Sequence, residues 1–297
     1  MKHLFAFAGL LALISTAHAT STINATNNSA YGANIGWTNW LPSAADGVVI
    51  GEYICSGYIY GANVGWINVG SGSPVNGIQY QNNAANDFGV NYGIDPSQPN
   101  FAILRGFAYG ANIGWINFEA LGNPRVRFSD GALTGYVYSA NCGWINLNDA
   151  SGFVKTDHVA MGADTDGDGI ADAFERQYFG NLTSATGTTD ADGDGIKDKD
   201  EYLDGTSPIL STDRLRITAF TTSANSTNAT VTWTSTAARL YYIETSPDLV
   251  SGFVTDTTFS SPFAPDASPG TLTTRIPTRV GSDTKRFYRI RAYRPLP

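Results

Sequence analysis

The sequence predicts a mainly β chain, and three observations carry that expectation. One hairpin-like nonapeptide recurs four times before residue 150. Short alternating apolar and polar segments, separated by Gly, Pro, Ser and Asp, fill the last third. The acidic stretch between them leaves room only for brief helices. Together these give a repeated β-hairpin N-terminal domain (20–157), a short loop-helix connector (158–210) and a C-terminal antiparallel β-sandwich (211–297).

The chain opens M-K-H, continues L-F-A-F-A-G-L-L-A-L-I-S-T-A and reaches A-H-A. A charged start, a short apolar run and a small-x-small site read as a secretory signal peptide over 1–19. The run is short for a membrane span, and no later segment is apolar enough for one. The expected product is secreted or held at a cell surface.

The four copies are Y-G-A-N-I-G-W-T-N at Tyr31, Y-G-A-N-V-G-W-I-N at Tyr60, Y-G-A-N-I-G-W-I-N at Tyr109 and Y-S-A-N-C-G-W-I-N at Tyr138. Each reads as a hairpin whose turn falls on A-N-x-G, since Asn and Gly accept positive φ. The wider middle spacing suggests one more hairpin, near 77–80 and 88–92. A short third strand is expected at 126–128. Every copy carries one Trp: Trp37, Trp66, Trp115 and Trp144. The preferred expectation is that stacked units bury these rings while Asn side chains hold the turns. The alternative exposes them as platforms for sugar rings, making the four tryptophans candidate ligand-binding residues. The region resembles the G-W-I repeats of secreted bacterial proteins, a likeness that implies no activity.

Residues 164–201 hold two copies of one acidic loop, D-T-D-G-D-G-I-A-D-A-F-E and D-A-D-G-D-G-I-K-D-K-D-E. Side-chain oxygens fall at loop positions 1, 3, 5, 9 and 12, the spacing with which a short loop wraps a hard cation. In the first loop these are Asp164, Asp166, Asp168, Asp172 and Glu175; in the second, Asp190, Asp192, Asp194, Asp198 and Glu201. Gly169 and Gly195 occupy the sharp turn at position 6, and the carbonyls of Ile170 and Ile196 would add a ligand at position 7. Two Ca²⁺ are expected, because Mg²⁺ prefers fewer carboxylates and keeps more water. Ile170, Phe174 and Tyr178, four residues apart, predict a short helix leaving the first loop. Position 8 holds Ala171 and Lys197 where an EF-hand would have an aliphatic residue. The segment instead resembles the thrombospondin type 3 repeat and the half EF-hands of extracellular bacterial proteins. That resemblance implies structural calcium between domains.

From residue 211 onward, strands are expected at 215–218, 229–233, 240–244, 271–275 and 287–291. Trp233 and the terminal F-Y-R-I-R-A-Y resemble a fibronectin type III fold, with Arg289 and Arg291 on one solvent-facing side. Segment 164–204 carries 12 acidic and 3 basic residues against a whole-chain net charge of −8, so the acidity belongs to the metal loops. Nothing supports nucleic-acid binding. Cys55 and Cys142 could pair in an oxidising compartment, but they occupy non-equivalent places in the repeats. After removal of 1–19 the one histidine is His158, and Glu52, Glu119 and Glu244 are isolated carboxylates. No phosphate loop, nucleophile elbow or zinc pattern is present.

The reading is therefore a non-enzymatic modular protein whose connector binds calcium, with no membrane span after signal cleavage. One alternative is a carbohydrate-binding adhesin, its partner a polysaccharide or cell-surface component. A second is a carboxylate-dependent hydrolase.

Overall fold

The computed structural model describes residues 20–95, 97–222, 229–237, 239–256, 262, 264–266, 272–275 and 285–296. The expected signal peptide, 1–19, lies outside them.

The four repeats close on themselves. Each forms one hairpin: β1 (Ile23–Gly32) with β2 (Gly36–Asn39), β3 (Cys55–Gly61) with β4 (Gly65–Gly70), β5 (Phe101–Gly110) with β6 (Gly114–Asn117), and β7 (Tyr136–Ser139) with β8 (Gly143–Asn146). Neighbouring hairpins pair antiparallel, β2 with β3, β4 with β5 and β6 with β7. Pairing of Gly32 on β1 with Ile145 on β8 completes the ring. The result is a small eight-stranded barrel with no open edge.

Period-2 alternation decides what enters it. The G-W-I-N segment sends Ile67, Ile116 and Ile145 inward, with Thr38 in the first copy, opposite Ala30, Ile59, Ala108 and Val137. Trp40 and Phe118, lying just past β2 and β6, fill the centre with ring centroids 6.3 Å apart. The void left is about 10 Å³, so the barrel is a packed core with no room for a ligand. The same alternation forces every repeat Trp outward: Trp37, Trp66, Trp115 and Trp144 are 43–51% exposed. This corrects the expectation that stacking buries them. Each Trp instead leans on its own repeat's Tyr, with centroids 4.9–5.1 Å apart.

The turns also differ from expectation. The turn asparagines have no positive φ; only the glycines do, Gly36, Gly65, Gly114 and Gly143 at 70–78°. Each loop is a tight turn closed by a hydrogen bond such as Ile35 N–H to Gly32 O, followed by a left-handed Gly. The Asn side chains lace one repeat to the next. Asn34 Nδ2 donates to Cys142 O, Asn63 to Ile35 O, Asn112 to Val64 O and Asn141 to Ile113 O, all at 3.0–3.1 Å. The four bonds form a ring around one barrel mouth, which Ile35, Val64, Ile113 and Cys142 plug from within. Cys142 is thus the fourth repeat's apolar plug. It and Cys55 are both buried free thiols.

The extra hairpin of the middle spacing pairs Val90–Ile94 with the first half of β5, not with 77–80. Asn76 accepts the amides of Ile78 and Gln79, a side-chain-closed turn that keeps that stretch out of the sheet. The short third strand forms as Arg125–Arg127, beside β5.

The C-terminal region is two small antiparallel sheets. One holds β9 (Ile217–Thr222), β10 (Ala229–Thr234) and β13 (Leu272–Arg275). The other holds β11 (Leu240–Ser246), β12 (Val254–Thr255) and β14 (Phe287–Tyr293). Val231 and Trp233 from the first pack on Tyr241, Ile243 and Ile290 from the second. Arg289 and Arg291 do share a side, but both are drawn to the buried carboxylate of Glu244, with each Nε 2.8 and 3.1 Å from it. Between barrel and sandwich run two acidic loops, each followed by a helix, α1 (Asp172–Phe179) and α2 (Asp198–Asp204).

Candidate metal centre

Both loops are wound by their own carboxylates. Asp164 accepts from the amides of Gly167 and Gly169 at 2.8 and 3.0 Å; Asp190 does the same with Gly193 and Gly195, both at 2.9 Å. Asp168 and Asp194 accept from Ile170 and Ile196 at 2.8 Å. The turn glycines Gly169 and Gly195 have φ of 89° and 94°. Gly167 and Gly193, at position 4, are also left-handed, at 76° and 73°. Reading the loop only for its ligand positions missed this second requirement for glycine, although D-G-D-G shows it.

This winding gathers Asp164, Asp166 and Asp168 so that their ligand oxygens lie within 4.8 Å of one another, and Asp190, Asp192 and Asp194 likewise. Glu175 and Glu201, at position 12, are fully buried. Several oxygens in the cups lack any hydrogen-bond partner: Oδ2 of Asp168, both oxygens of Glu175, Oδ2 of Asp192 and Oε2 of Glu201. Buried acceptors without donors are costly, and a cation at the centre of each cup would satisfy them. The electrostatics agree. Burial first, then the facing aspartates, pushes Glu175 up to about 7 and Glu201 up to about 8. A hard cation offsets both causes, because its charge stabilises the ionised carboxylates. The donor set fits a metal ion with oxygen ligands, consistent with calcium.

The position-9 side chains face elsewhere. Asp172 accepts from the amide and hydroxyl of Thr165, at 2.7 and 2.6 Å, and Asp198 from the Ala191 amide and Thr189 hydroxyl, at 2.9 and 2.5 Å. Each starts its helix and ties it back to the loop entrance.

Basic side chains clasp the outside of both cups at the same point. Lys199, on α2, donates to the carbonyl of Asp168 at 2.8 Å. Arg214, leading into the sandwich, reaches the carbonyl and Oδ2 of Asp194 at 3.2 and 3.3 Å. Each position-5 aspartate is therefore held by the unit that follows it in the chain. Ile170, Ala171, Phe174, Ala185 and Tyr202 form the connector's own core, joined by Tyr53 from the barrel side. As expected, Ile170 and Phe174 are buried and Tyr178 is half-buried on the same helical side.

The connector is tied to both neighbours through Glu52. Its Oε1 accepts the Gly162 amide at 3.0 Å and the Tyr202 hydroxyl at 2.5 Å; its Oε2 pairs with Arg294 at 3.1 Å. Arg294 also lies over the Tyr202 ring, 3.8 Å from its centroid. Arg239 donates to the carbonyls of Tyr202 and Leu203 at 2.9 and 2.7 Å, a cation at the C-terminal end of α2. The remaining carboxylates noted in the sequence stand apart from this cluster: Glu119 accepts the Gly106 amide, and Glu244 holds its two arginines. The His158 carbonyl accepts the Thr156 hydroxyl at the exit from the barrel.

A family model of the bacterial TSP3 repeat matches residues 164–180 and 190–209, which covers both loops and their helices. No curated protein and no solved structure matches the chain. The two segments are thus acidic repeats of TSP3 type, and their aspartate clusters are suited to calcium. No helix among the described residues is long and apolar enough to cross a membrane.

Proposed function

We propose that the chain is an extracellular, non-enzymatic modular protein in which two Ca²⁺ stiffen the join between barrel and sandwich. The three aspartates of each cup, the carbonyls of Ile170 and Ile196, and Glu175 and Glu201 supply the oxygens. Asp172 and Asp198 take part through a bridging water, as position 9 often does. The reading is carried by Glu52, one barrel side chain that touches the connector backbone, the α2 tyrosine and a sandwich arginine at once. With cations bound, the cups hold α1 and α2, and those helices hold their neighbours through Glu52, Arg239 and Arg214. Affinity of about 10⁻⁴ to 10⁻³ M, usual for extracellular modules, would keep the sites filled outside a cell. Stripping calcium, or changing Asp166 and Asp192 to Ala, should increase protease cutting between Met161 and Pro208. Cutting that ignores calcium would refute the idea.

One observation favours a second role. The repeat tryptophans stand out around the barrel wall, each beside a tyrosine, so four similar aromatic surfaces face outward. Stacking on neutral sugar rings is the chemistry they suit. Polysaccharide affinity electrophoresis tests it: retardation should weaken in Trp115→Ala, and equal retardation of that variant would argue against it.

A further inference from the structure

The stretches that pair within the four barrel hairpins, 29–32 with 36–39, 57–61 with 65–70, 107–110 with 114–117 and 136–139 with 143–146, contain no charged residue. In a chain of net charge −8, this wall is neutral. Its outward side chains also follow a pattern that crosses the repeat boundaries. Tyr60 lies between Trp66 of its own hairpin and Asn39 of the preceding one; Tyr109 lies in the same way between Trp115 and Asn68. The registers of Tyr138 and Tyr31 repeat the arrangement, and closure of the barrel supplies Tyr31 with Asn146 from the last repeat. Directly opposed residues on antiparallel strands share a face, so all four Asn–Tyr–Trp triplets stand on the outside.

Each triplet joins ring surface to uncommitted polar groups. The four tyrosines are exposed, and their hydroxyls make no hydrogen bond among the described residues. Asn68 spends its side-chain carbonyl on the Gly70 amide at 2.8 Å, and its three counterparts close the same local turn. That bond fixes the amide and leaves Nδ2 over. Among the described residues the Nδ2 of Asn39, Asn68 and Asn117 has no acceptor, and that of Asn146 has a 3.5 Å approach to Asp149. The Tyr and Trp planes are inclined by 54–61°, so they do not form one flat platform. A triplet therefore suits a single ring on the indole, with the phenol hydroxyl and the amide at its rim.

Building on the sugar-stacking role of the repeat tryptophans, we infer that the four triplets are equivalent one-ring subsites for a neutral β-linked glucan, and that the barrel cross-links separate chains of it. In β-linked glucose every ring hydroxyl is equatorial. The ring faces carry only C–H, which stacks on an indole, and the hydroxyls reach sideways to donors at the rim. An uncharged wall has no counterion for an acidic polymer, so the chain it fits is neutral. One stacked ring binds weakly, and the subsites face different directions around a closed barrel. A single chain does not reach all four; several chains around the barrel do, and avidity then supplies the affinity.

The test uses the full-length protein saturated with calcium. A soluble mixed-linkage β-glucan and a tetrasaccharide cut from it are titrated calorimetrically. The tetrasaccharide should bind with a Kd on the order of 1 mM. The polymer should bind about 100-fold more tightly, and its solution should thicken as protein is added. Trp37→Ala, Trp66→Ala, Trp115→Ala and Trp144→Ala should each weaken polymer binding by a similar factor. The triple variant that keeps only Trp115 should bind polymer no better than tetrasaccharide and leave the viscosity unchanged. A second variant guards against loss of fold: Tyr31→Phe, Tyr60→Phe, Tyr109→Phe and Tyr138→Phe together keep every ring, remove only hydroxyls and should weaken polymer binding at least about tenfold. Polymer binding lost entirely through one tryptophan, thickening by the triple variant, or full binding by the phenylalanine variant would overturn the inference while leaving the sugar-stacking role standing. So would a parent that binds a neutral galactan and not the glucan. A parent that binds neither polymer would end both.

Discussion

Removing calcium should make the protein's stability depend on pH in a direction opposite to ordinary acid unfolding. In the metal-free cups, burial and neighbouring aspartates raise Glu175 to about 7 and Glu201 to about 8, from an ordinary value of 4.5. A carboxyl raised on folding binds protons more tightly in the native state. Its contribution is fully present below about pH 4.5 and is lost as pH climbs through 7 to 8. At about 1.4 kcal/mol for each pH unit, the change at Glu175 alone is about 3 kcal/mol, and Glu201 adds an effect of the same order. For a chain of this size, 3 kcal/mol moves a melting temperature by on the order of 10 °C. Calcium reverses the balance, since it needs both carboxylates ionised.

The assay is a melting series from pH 5 to pH 8.5 on protein stripped over a chelating resin, with and without added calcium. The gap between the two curves should be small at pH 5 and widest above pH 8. The double variant Glu175→Gln, Glu201→Gln supplies the decisive control. Metal-free, it should melt higher than the metal-free parent at pH 8, because two crowded charges are gone, yet calcium should no longer raise it. A gap that does not vary with pH, or a double variant less stable than the metal-free parent, would refute the reasoning.

Three further expectations concern the frame around the cups. Asn112→Ala removes one bond of the ring that laces the repeats and should cost about 1 kcal/mol by denaturant unfolding, with Asn34, Asn63 and Asn141 behaving alike. Trp40→Ala should cost about 3–5 kcal/mol because it empties the barrel centre, whereas Trp115→Ala, half-exposed, should cost roughly 1 kcal/mol or less. Glu52→Ala leaves the Tyr202 hydroxyl and Arg294 without their shared acceptor. It should lose on the order of 3 kcal/mol and raise protease cutting in 158–210 even when calcium is saturating.

Much of the architecture was legible because repetition and period carry it. The four nonapeptides announce four hairpins, and the spacing of oxygens in 164–201 announces two cups. Burial of the tryptophans was misjudged for a physical reason: repeats suggest stacking, and stacking suggests buried aromatics. Alternation in G-W-I-N already puts Trp and Ile on opposite faces, and a ring of eight short strands has space inside for Ile, Ala and Val at the repeat positions. Two rings outside the repeats, Trp40 and Phe118, complete the filling. Closure itself depends on Gly32 meeting Ile145, more than a hundred residues away, and no local pattern encodes that pairing.

The join between the parts was invisible for a related reason. Glu52 looks like an isolated acid in G-E-Y-I, and Arg294 like one more cation in a basic tail. Only the fold brings them within 3.1 Å, with Tyr202 donating to Glu52 and lying under the Arg294 guanidinium. Once together, they make the calcium loops more than a local ornament. Position 5 of each cup is clasped by the next unit, through Lys199 and then Arg214, so each cup is tied by a hydrogen bond to the part of the chain that follows it. Lys199→Ala isolates that step. It leaves the ten carboxylates at loop positions 1, 3, 5, 9 and 12 and Glu52 in place, so each cup should still bind calcium. What it should lose is the effect of filling the second cup on the first, read as two independent sites in a calorimetric titration. If the titration of the variant overlays that of the parent, the two cups act alone and Glu52 by itself carries the join.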